Sequence, residues 1–196
     1  KVVGIEKNPD SVAKARDNIK AAGLSDRITI IEGDIFHLEK ITDKFDYVLA
    51  EAILTMQSNT GKFKILSAIK NFLKPNGKFL SHEMSVWNNE SQVRKSLSQT
   101  IRVNANPLTL TEWKIVCQEA GLTLEQQQTG KMGLLNFGQM IRDEGLFGTV
   151  KILWNVLSNP NLRQRVLQMR RNFQQQRHNI GYIVFCAKVL TVNNEE

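Results

Sequence analysis

Acidic residues follow two short apolar runs near the start of the sequence. Glu6 comes after Val2–Ile5, and Asp34 follows the second run, Ile28–Ile31, with Gly33 just before it. Such runs are typical of buried parallel strands, and open α/β sheets bind ligands at the carboxyl ends of their strands. A carboxylate at Glu6 could accept hydrogen bonds from both hydroxyls of a ribose. Asp34 could accept one from an exocyclic amine such as the N6 of adenine.

The segment between these acids predicts a helix. Asn8 is a candidate cap, Pro9 suits the first helical position, and Asp10 is favoured there by the helix dipole. Gly23 can end the helix in the left-handed conformation. Strand, helix and strand in this order indicate half of a nucleotide-binding α/β fold.

Together these residues resemble the S-adenosylmethionine-dependent methyltransferases that have a seven-stranded, Rossmann-like sheet. Phe45–Glu51 looks like the fourth strand of that family, and Leu73–Leu80 looks like the turn into its fifth, so the resemblance covers most of residues 1–85. It implies a doubly wound α/β sheet, mostly parallel with an antiparallel last strand. It also implies S-adenosyl-L-methionine as cofactor, with its ribose at Glu6 and its adenine at Asp34. The full set of cofactor contacts that it implies is Glu6, Lys7, Gly33, Asp34, Ile35 and Glu51.

The same resemblance implies a catalytic region at the ends of the fourth and fifth strands, here Glu51–Met56 and Ser81–Met84. Glu51 matches the position beside the sulfonium in small-molecule members. His82 or Glu83 could serve as a general base, although a polar strand end that faces solvent fits them equally well. The Asn/Asp-Pro-Pro-Tyr motif is absent after the fourth strand, which disfavours methylation of an amide or an exocyclic adenine amine by that route. No metal site is predicted.

One departure from the family concerns the glycine-rich loop that holds the methionine end of the cofactor. This loop and the first strand would lie before Lys1, and no G-x-G-x-G follows. We therefore expect residues 1–196 to form a single methyltransferase domain that is incomplete at its N-terminus. Alone, this chain should bind the cofactor poorly.

The rest of the sequence alternates between helices and strands. We expect one sheet, parallel except for its last strand. Helices are expected at residues 61–73, with Phe63, Leu66, Ile69 and Leu73 on one side, and at 109–120, with Thr111 as a candidate cap. Between Glu83 and Pro107, Val93, Leu97 and Ile101 suit an amphipathic helix. The expected strands lie near residues 2–6, 28–32, 46–50, 78–82, 122–128 and 181–188.

Residues 131–179 stand where a plain family member would turn directly into its last strand, and they predict an insertion of two helices. Apolar residues dominate the first, and Pro160, near the start of the second, separates the two. These helices could cap a substrate pocket or form the face of a homodimer. The apolar residues of the first are Phe137, Met140, Ile141, Leu146, Val150, Leu153, Trp154 and Leu157.

Composition narrows the class of protein. No apolar run approaches the ~18 residues of a membrane span, and no signal segment is visible, so we expect a cytoplasmic protein that does not act on membranes. The net charge of +7 is concentrated in residues 162–177, where arginines surround an amphipathic stripe. A core-packing helix with a solvated basic face explains this pattern better than a polyanion site does.

Three functions remain open. The leading one is methyl transfer to a small molecule, with the inserted helices around the substrate. The second is a nucleic-acid methyltransferase or an RNA-binding module that uses the basic helix at residues 162–177. The third is a nicotinamide-dependent enzyme, because an acid after the second strand binds ribose there too.

Overall fold

The computed structural model describes residues 1–38, 41–101, 105–132 and 158–190, together with four single residues between the last two ranges (145, 148, 154 and 156). The strands are β1 Val2–Glu6, β2 Ile28–Glu32, β3 Phe45–Glu51, β4 Leu73–Val86, β5 Leu122–Lys131 and β6 Ile180–Val189. The helices are α1 Pro9–Ala21, α2 Asn59–Phe72, α3 Glu90–Ile101, α4 Leu110–Glu119 and α5 Pro160–Gln176, with a 3₁₀ turn at Leu54–Met56. The mixed α/β class is confirmed.

The strands form two sheets rather than one. β1 and β2 pair in parallel, and the other four strands form a second sheet in the order β3-β4-β6-β5. β6 is antiparallel to both of its neighbours, as predicted for the last strand. The prediction of a single sheet is wrong, because β1 and β3 each pair on one side only and no described strand joins them.

Helix α1 begins and ends where its sequence indicates. The Asn8 side chain accepts a hydrogen bond from the Ser11 amide, and Pro9 occupies the first turn. Gly23 follows the helix at φ +67°, a conformation that costs glycine little.

The helix α4 has a different cap from the predicted one. Thr109, not Thr111, caps it, because Thr109 and Glu112 form a reciprocal capping box.

The four-stranded sheet carries hydrophobic clusters on both faces. One cluster lies between the sheet and the helices α2 and α4, with Phe79, Trp113 and Phe185 at its centre. The other lies at the far end of β4 and includes Val93 and Leu97 of α3 and Phe173 of α5. β4 contributes to both clusters, so this 14-residue strand connects the two halves of the core.

Helix α2 buries most of its predicted apolar side. Leu66, Ile69 and Leu73 are buried as predicted, but Phe63 is 41% exposed, and Lys62 and Ile65 are buried in its place. The apolar period is 62, 65, 66 and 69, with a lysine in the first position. A buried lysine must find hydrogen-bond acceptors, which makes this position relevant to the site.

The predicted insertion is described only in part. Its second helix is present as α5, which packs on α3 and buries Phe173, and its arginines are exposed. The first inserted helix, predicted over residues that include Phe137 and Leu153, lies outside the described residues. Among the helices that the structure describes, none is long and apolar enough to cross a membrane.

Candidate functional site

The first group of predicted site residues lies at the carboxyl ends of β1 and β2. The Gly33 amide donates to the carbonyl oxygen of Glu6 at 3.0 Å, which joins the two strand ends. Oε1 of Glu6 accepts from the Asn8 amide at 2.8 Å, and the side chain is exposed. Among the described residues, none bonds to its Oε2. Glu6 therefore has carboxylate lone pairs available to a ligand.

Asp34 is held in place by its neighbours. One oxygen accepts from Lys7 Nζ at 2.7 Å and the other from the Phe36 amide at 3.0 Å. The Lys7 hydrogen bond is the main cause that lowers the pKa of Asp34, so the carboxylate is ionised at neutral pH. Ile35 turns inward and packs against the core of the larger sheet. The structure thus brings five of the predicted cofactor residues into one region: Glu6, Lys7, Gly33, Asp34 and Ile35.

The second group lies at the carboxyl ends of β3 and β4. Glu51 and His82 are register partners on these parallel strands, and His82 Nδ1 lies 3.4 Å from Glu51 Oε1. Both side chains are at least half exposed. The His82 ring also makes an edge contact with Tyr182 of β6, with 5.5 Å between ring centroids. Tyr182 was not predicted as a site residue, because its place beside His82 depends on the pairing of β4 with β6.

Glu83, unlike its neighbour His82, is buried, and its carboxylate already accepts several hydrogen bonds. Its side chain points to the opposite face of β4 and is 2% exposed. Its oxygens accept hydrogen bonds from the amides of Leu54 and Thr55 and from two hydroxyls. Burial raises the pKa of Glu83, and these hydrogen bonds oppose the rise. The sequence could not distinguish the two residues, since either one can face outward at a strand end.

Similar proteins identify the framework on which these groups stand. The family model described as "Methyltransferase domain" matches residues 1–139, more than two thirds of the chain. The chain belongs to the methyltransferase-domain family. An uncharacterized protein of Haemophilus influenzae is 34% identical over 188 residues, which cover 95% of this chain and 74% of the relative.

Solved structures share this methyltransferase fold at low identity. An S-adenosylmethionine-dependent methyltransferase from Geobacter sulfurreducens, in complex with S-adenosyl-L-homocysteine, aligns with a TM-score of 0.64 at 17% identity and covers 95% of this chain and 74% of its own. One from Thiobacillus denitrificans, also in that complex, gives 0.62 at 15%, with 95% and 75% covered. The [4+2]-cyclase SpnF gives 0.70 at 16%, with 97% and 67% covered. These likenesses show the fold, which also supports chemistry other than methyl transfer.

Within the methyltransferase fold, the donor set at β1 and β2 suits an adenosine group. A ribose offers two hydroxyl donors, and Glu6 presents a carboxylate with an oxygen that no described residue occupies. Adenine offers an amine donor, and Asp34 presents an ionised carboxylate. The residues present therefore fit the nucleoside part of the cofactor, and Glu51 lies on a separate strand end, apart from this group.

Proposed function

We propose that the protein transfers a methyl group from S-adenosylmethionine to a small-molecule acceptor. The observation that carries this proposal is the joined end of β1 and β2, where the bond from the Gly33 amide to the Glu6 carbonyl places Glu6 and Asp34 in one region. In this proposal Glu6 binds the two ribose hydroxyls, and Asp34 accepts from the adenine amine. Membership in the methyltransferase family supports the assignment.

The catalytic step needs little from the protein beyond alignment and the exclusion of water. Bound S-adenosylmethionine supplies an electrophilic methyl group. Glu51 is proposed to lie beside the sulfonium, where its carboxylate would help to bind the positively charged cofactor and not to lower the barrier of the transfer. If the acceptor arrives protonated, His82 can take the proton at Nε2, with Nδ1–H oriented toward Glu51 Oε1. In this arrangement His82 is the general base and Glu51 fixes its tautomer.

A small acceptor suits the described surface better than a nucleic acid does. The arginines that could bind phosphate lie on α5, whose buried face packs on α3. That helix has no acidic residue, so binding of RNA remains the second candidate, and it would show as salt-sensitive affinity.

The cytoplasmic location belongs to the proposal too. Its support is that Cys117 and Cys186 are both free thiols.

The proposed active protein contains a further strand between β1 and β3. Among the strands that the structure describes, each of these two pairs on one side only, and β3 exposes apolar side chains that a neighbouring element would cover, namely Tyr47 at 62% and Leu49 at 76%. We propose that upstream residues supply this strand, the loop for the methionine end of the cofactor and a covering helix. The 196 residues would then be an incomplete domain.

Calorimetry with S-adenosylhomocysteine tests both parts of the proposal. We would compare this chain with one extended upstream by about 40 natural residues, the length of one strand, a crossover helix and its turns. The extended chain should bind and the present chain should bind poorly. If neither binds, the cofactor assignment fails. If both bind equally and tightly, the cofactor assignment stands and the incomplete-domain proposal fails.

A further inference from the structure

The turn that follows β3 has an unfavourable backbone conformation next to Glu51. Ala52 has φ +53°, in the left-handed region that alanine rarely adopts. Its amide donates to the His82 carbonyl oxygen at 2.8 Å, which ties the turn to the end of β4. A residue in this conformation persists when surrounding contacts hold it there. Residues of this kind are often found at functional sites.

The contacts come from a buried carboxylate beneath the turn. Glu83 accepts from the Leu54 amide at 3.0 Å and from the Thr55 amide at 2.7 Å, the first two amides of the 3₁₀ turn. The Thr55 hydroxyl donates to the same carboxylate and accepts from the Met84 amide. A negative group is thus bonded to the positive, amide end of the turn.

A buried ammonium group occupies the opposite end. Lys62 Nζ donates to the Gln57 carbonyl oxygen at 2.6 Å and to the Asn106 carbonyl oxygen at 2.8 Å. Gln57 follows the last residue of the 3₁₀ turn, and the Asn106 amide donates to the Thr55 carbonyl oxygen at 2.8 Å. The carbonyl end of the turn is therefore bonded to a positive group. Both charged side chains are inaccessible to a substrate.

We propose that Glu83 and Lys62 are positioning residues for methyl transfer: together they fix the Ala52 turn, and thereby the place of Glu51 beside the cofactor. The inference rests on the proposed function, in which Glu51 contacts the cofactor. It gives a role to two charges whose burial would otherwise only cost stability. Glu83 then acts through Glu51 and does not exchange a proton with the substrate.

Two measurements on Glu83→Gln test the proposal. In the present chain, Glu83→Gln should increase the rate of hydrogen exchange more at the Leu54 and Thr55 amides than at the amides of central β4. In the upstream-extended chain, affinity for S-adenosylhomocysteine should fall roughly tenfold. Thr55→Val, which keeps the Thr55 amide and removes only the hydroxyl, should change both in the same direction by less. If Glu83→Gln does not fold, Thr55→Val replaces it in both measurements.

A second substitution separates positioning from general stability. Glycine adopts the left-handed conformation without strain, so Ala52→Gly added to Glu83→Gln should restore most of the lost affinity. The control is Asn159→Ala, which removes the side-chain cap of α5, a helix that packs on α3. That control should lower stability and leave affinity unchanged.

The outcomes distinguish this proposal from the proposed function. Equal acceleration of exchange at all amides, or unchanged affinity in a Glu83→Gln protein whose wild type binds, overturns the positioning role and leaves the function standing. Failure of Ala52→Gly to restore affinity also overturns it. If the wild-type extended chain does not bind S-adenosylhomocysteine, the proposed function fails, and the positioning role for methyl transfer fails with it.

Discussion

Glu6 is the residue on which the cofactor assignment depends most. A carboxylate shared by two ribose hydroxyls makes charge-assisted hydrogen bonds of about 1.5–3 kcal/mol each. Asp34 already bonds Lys7 and the Phe36 amide, so it has less capacity for a ligand than Glu6 has. The two acids should therefore contribute unequally to binding.

We predict that Glu6→Ala in the upstream-extended chain lowers affinity for S-adenosylhomocysteine by at least about tenfold, and that Asp34→Ala lowers it less. Calorimetry measures both. Asp17→Ala, which removes an exposed carboxylate from α1, is the control for the change in charge. Wild-type affinity in Glu6→Ala would remove the central residue from the assignment, whereas an unchanged Asp34→Ala would affect the adenine contact alone.

Lys62 provides a pH-dependent signature of its burial. Burial lowers its pKa from 10.5 to about 8, and the nearby Glu83 carboxylate offsets part of this effect. Between about pH 8 and 10.5 the unfolded chain holds a proton on Lys62 that the folded chain has lost. The free energy of unfolding contributed by Lys62 must therefore increase as the pH rises through this window.

Urea denaturation at a series of pH values, for the wild type and for Lys62→Met, isolates this term. The wild-type free energy of unfolding minus that of the variant should increase from about pH 8 to 10.5. Burial raises the pKa of Cys117 to about 12, which acts in the opposite direction above its usual pKa of 9.0, but it is common to both proteins and cancels. A difference that stays flat would mean that Lys62 is not desolvated in the folded protein.

At the scale of elements, two glycines set how closely β5 and β6 approach. A Cβ atom on Gly181 would collide with the Gly130 carbonyl oxygen and with the Trp87 ring. A Cβ on Gly130 would lie 2.5 Å from the Tyr182 ring. The Gly130 backbone and the Trp87 ring cannot both move away cheaply from a Cβ on Gly181, so this position in particular requires glycine.

Gly181→Ala should consequently destabilise the fold by about 1–3 kcal/mol, the usual cost of overpacking a well-packed region. Chemical denaturation measures the effect. Gly33→Ala is a matched control, since its Cβ would meet only Ile5, at an ordinary 3.6 Å, and it should cost less than about 0.5 kcal/mol. Equal destabilisation by the two substitutions would show that steric crowding at Gly181 is not the cause.

Local sequence signals explain which elements could be predicted. β1 and β2 match their expected bounds, and the end of α1 follows from Asn8, Pro9 and Gly23, all of which act within a few residues. The predicted cap of α4, Thr111, lies two residues after the observed one, because Thr109 and Thr111 are chemically alike. Only the reciprocal bond with Glu112 distinguishes them, and it favours Thr109.

The positions of the candidate residues could be predicted where they depend on strand ends and not where they depend on side-chain direction. Glu6 and Asp34 follow from an acid at the end of an apolar run, and Glu51 from the resemblance to the family. The burial of Glu83 and Lys62 does not, because neighbouring positions on a strand or helix face different surroundings that tertiary packing decides. A charged residue at an apolar helical position, as at Lys62, is the signal that could have indicated a buried polar contact.

At the scale of the whole molecule, the strand order of the larger sheet determines when the protein can fold during its synthesis. β6 lies between β4 and β5, although both precede it in the chain. Its buried residues Ile183, Phe185 and Ala187 complete the main core.

During translation, β4 and β5 therefore leave the ribosome with a space between them that only residues 180–189 can fill. β4 can pair with β3 early, but about 100 residues separate it from β6, its partner on the other side, and contacts across so long a loop form slowly. The nascent chain will expose the open edge of β4, and β5, over that interval. The protein should thus depend on molecular chaperones during synthesis more than its size alone suggests, and a ribosome that stalls before residue 180 will release a product that cannot fold.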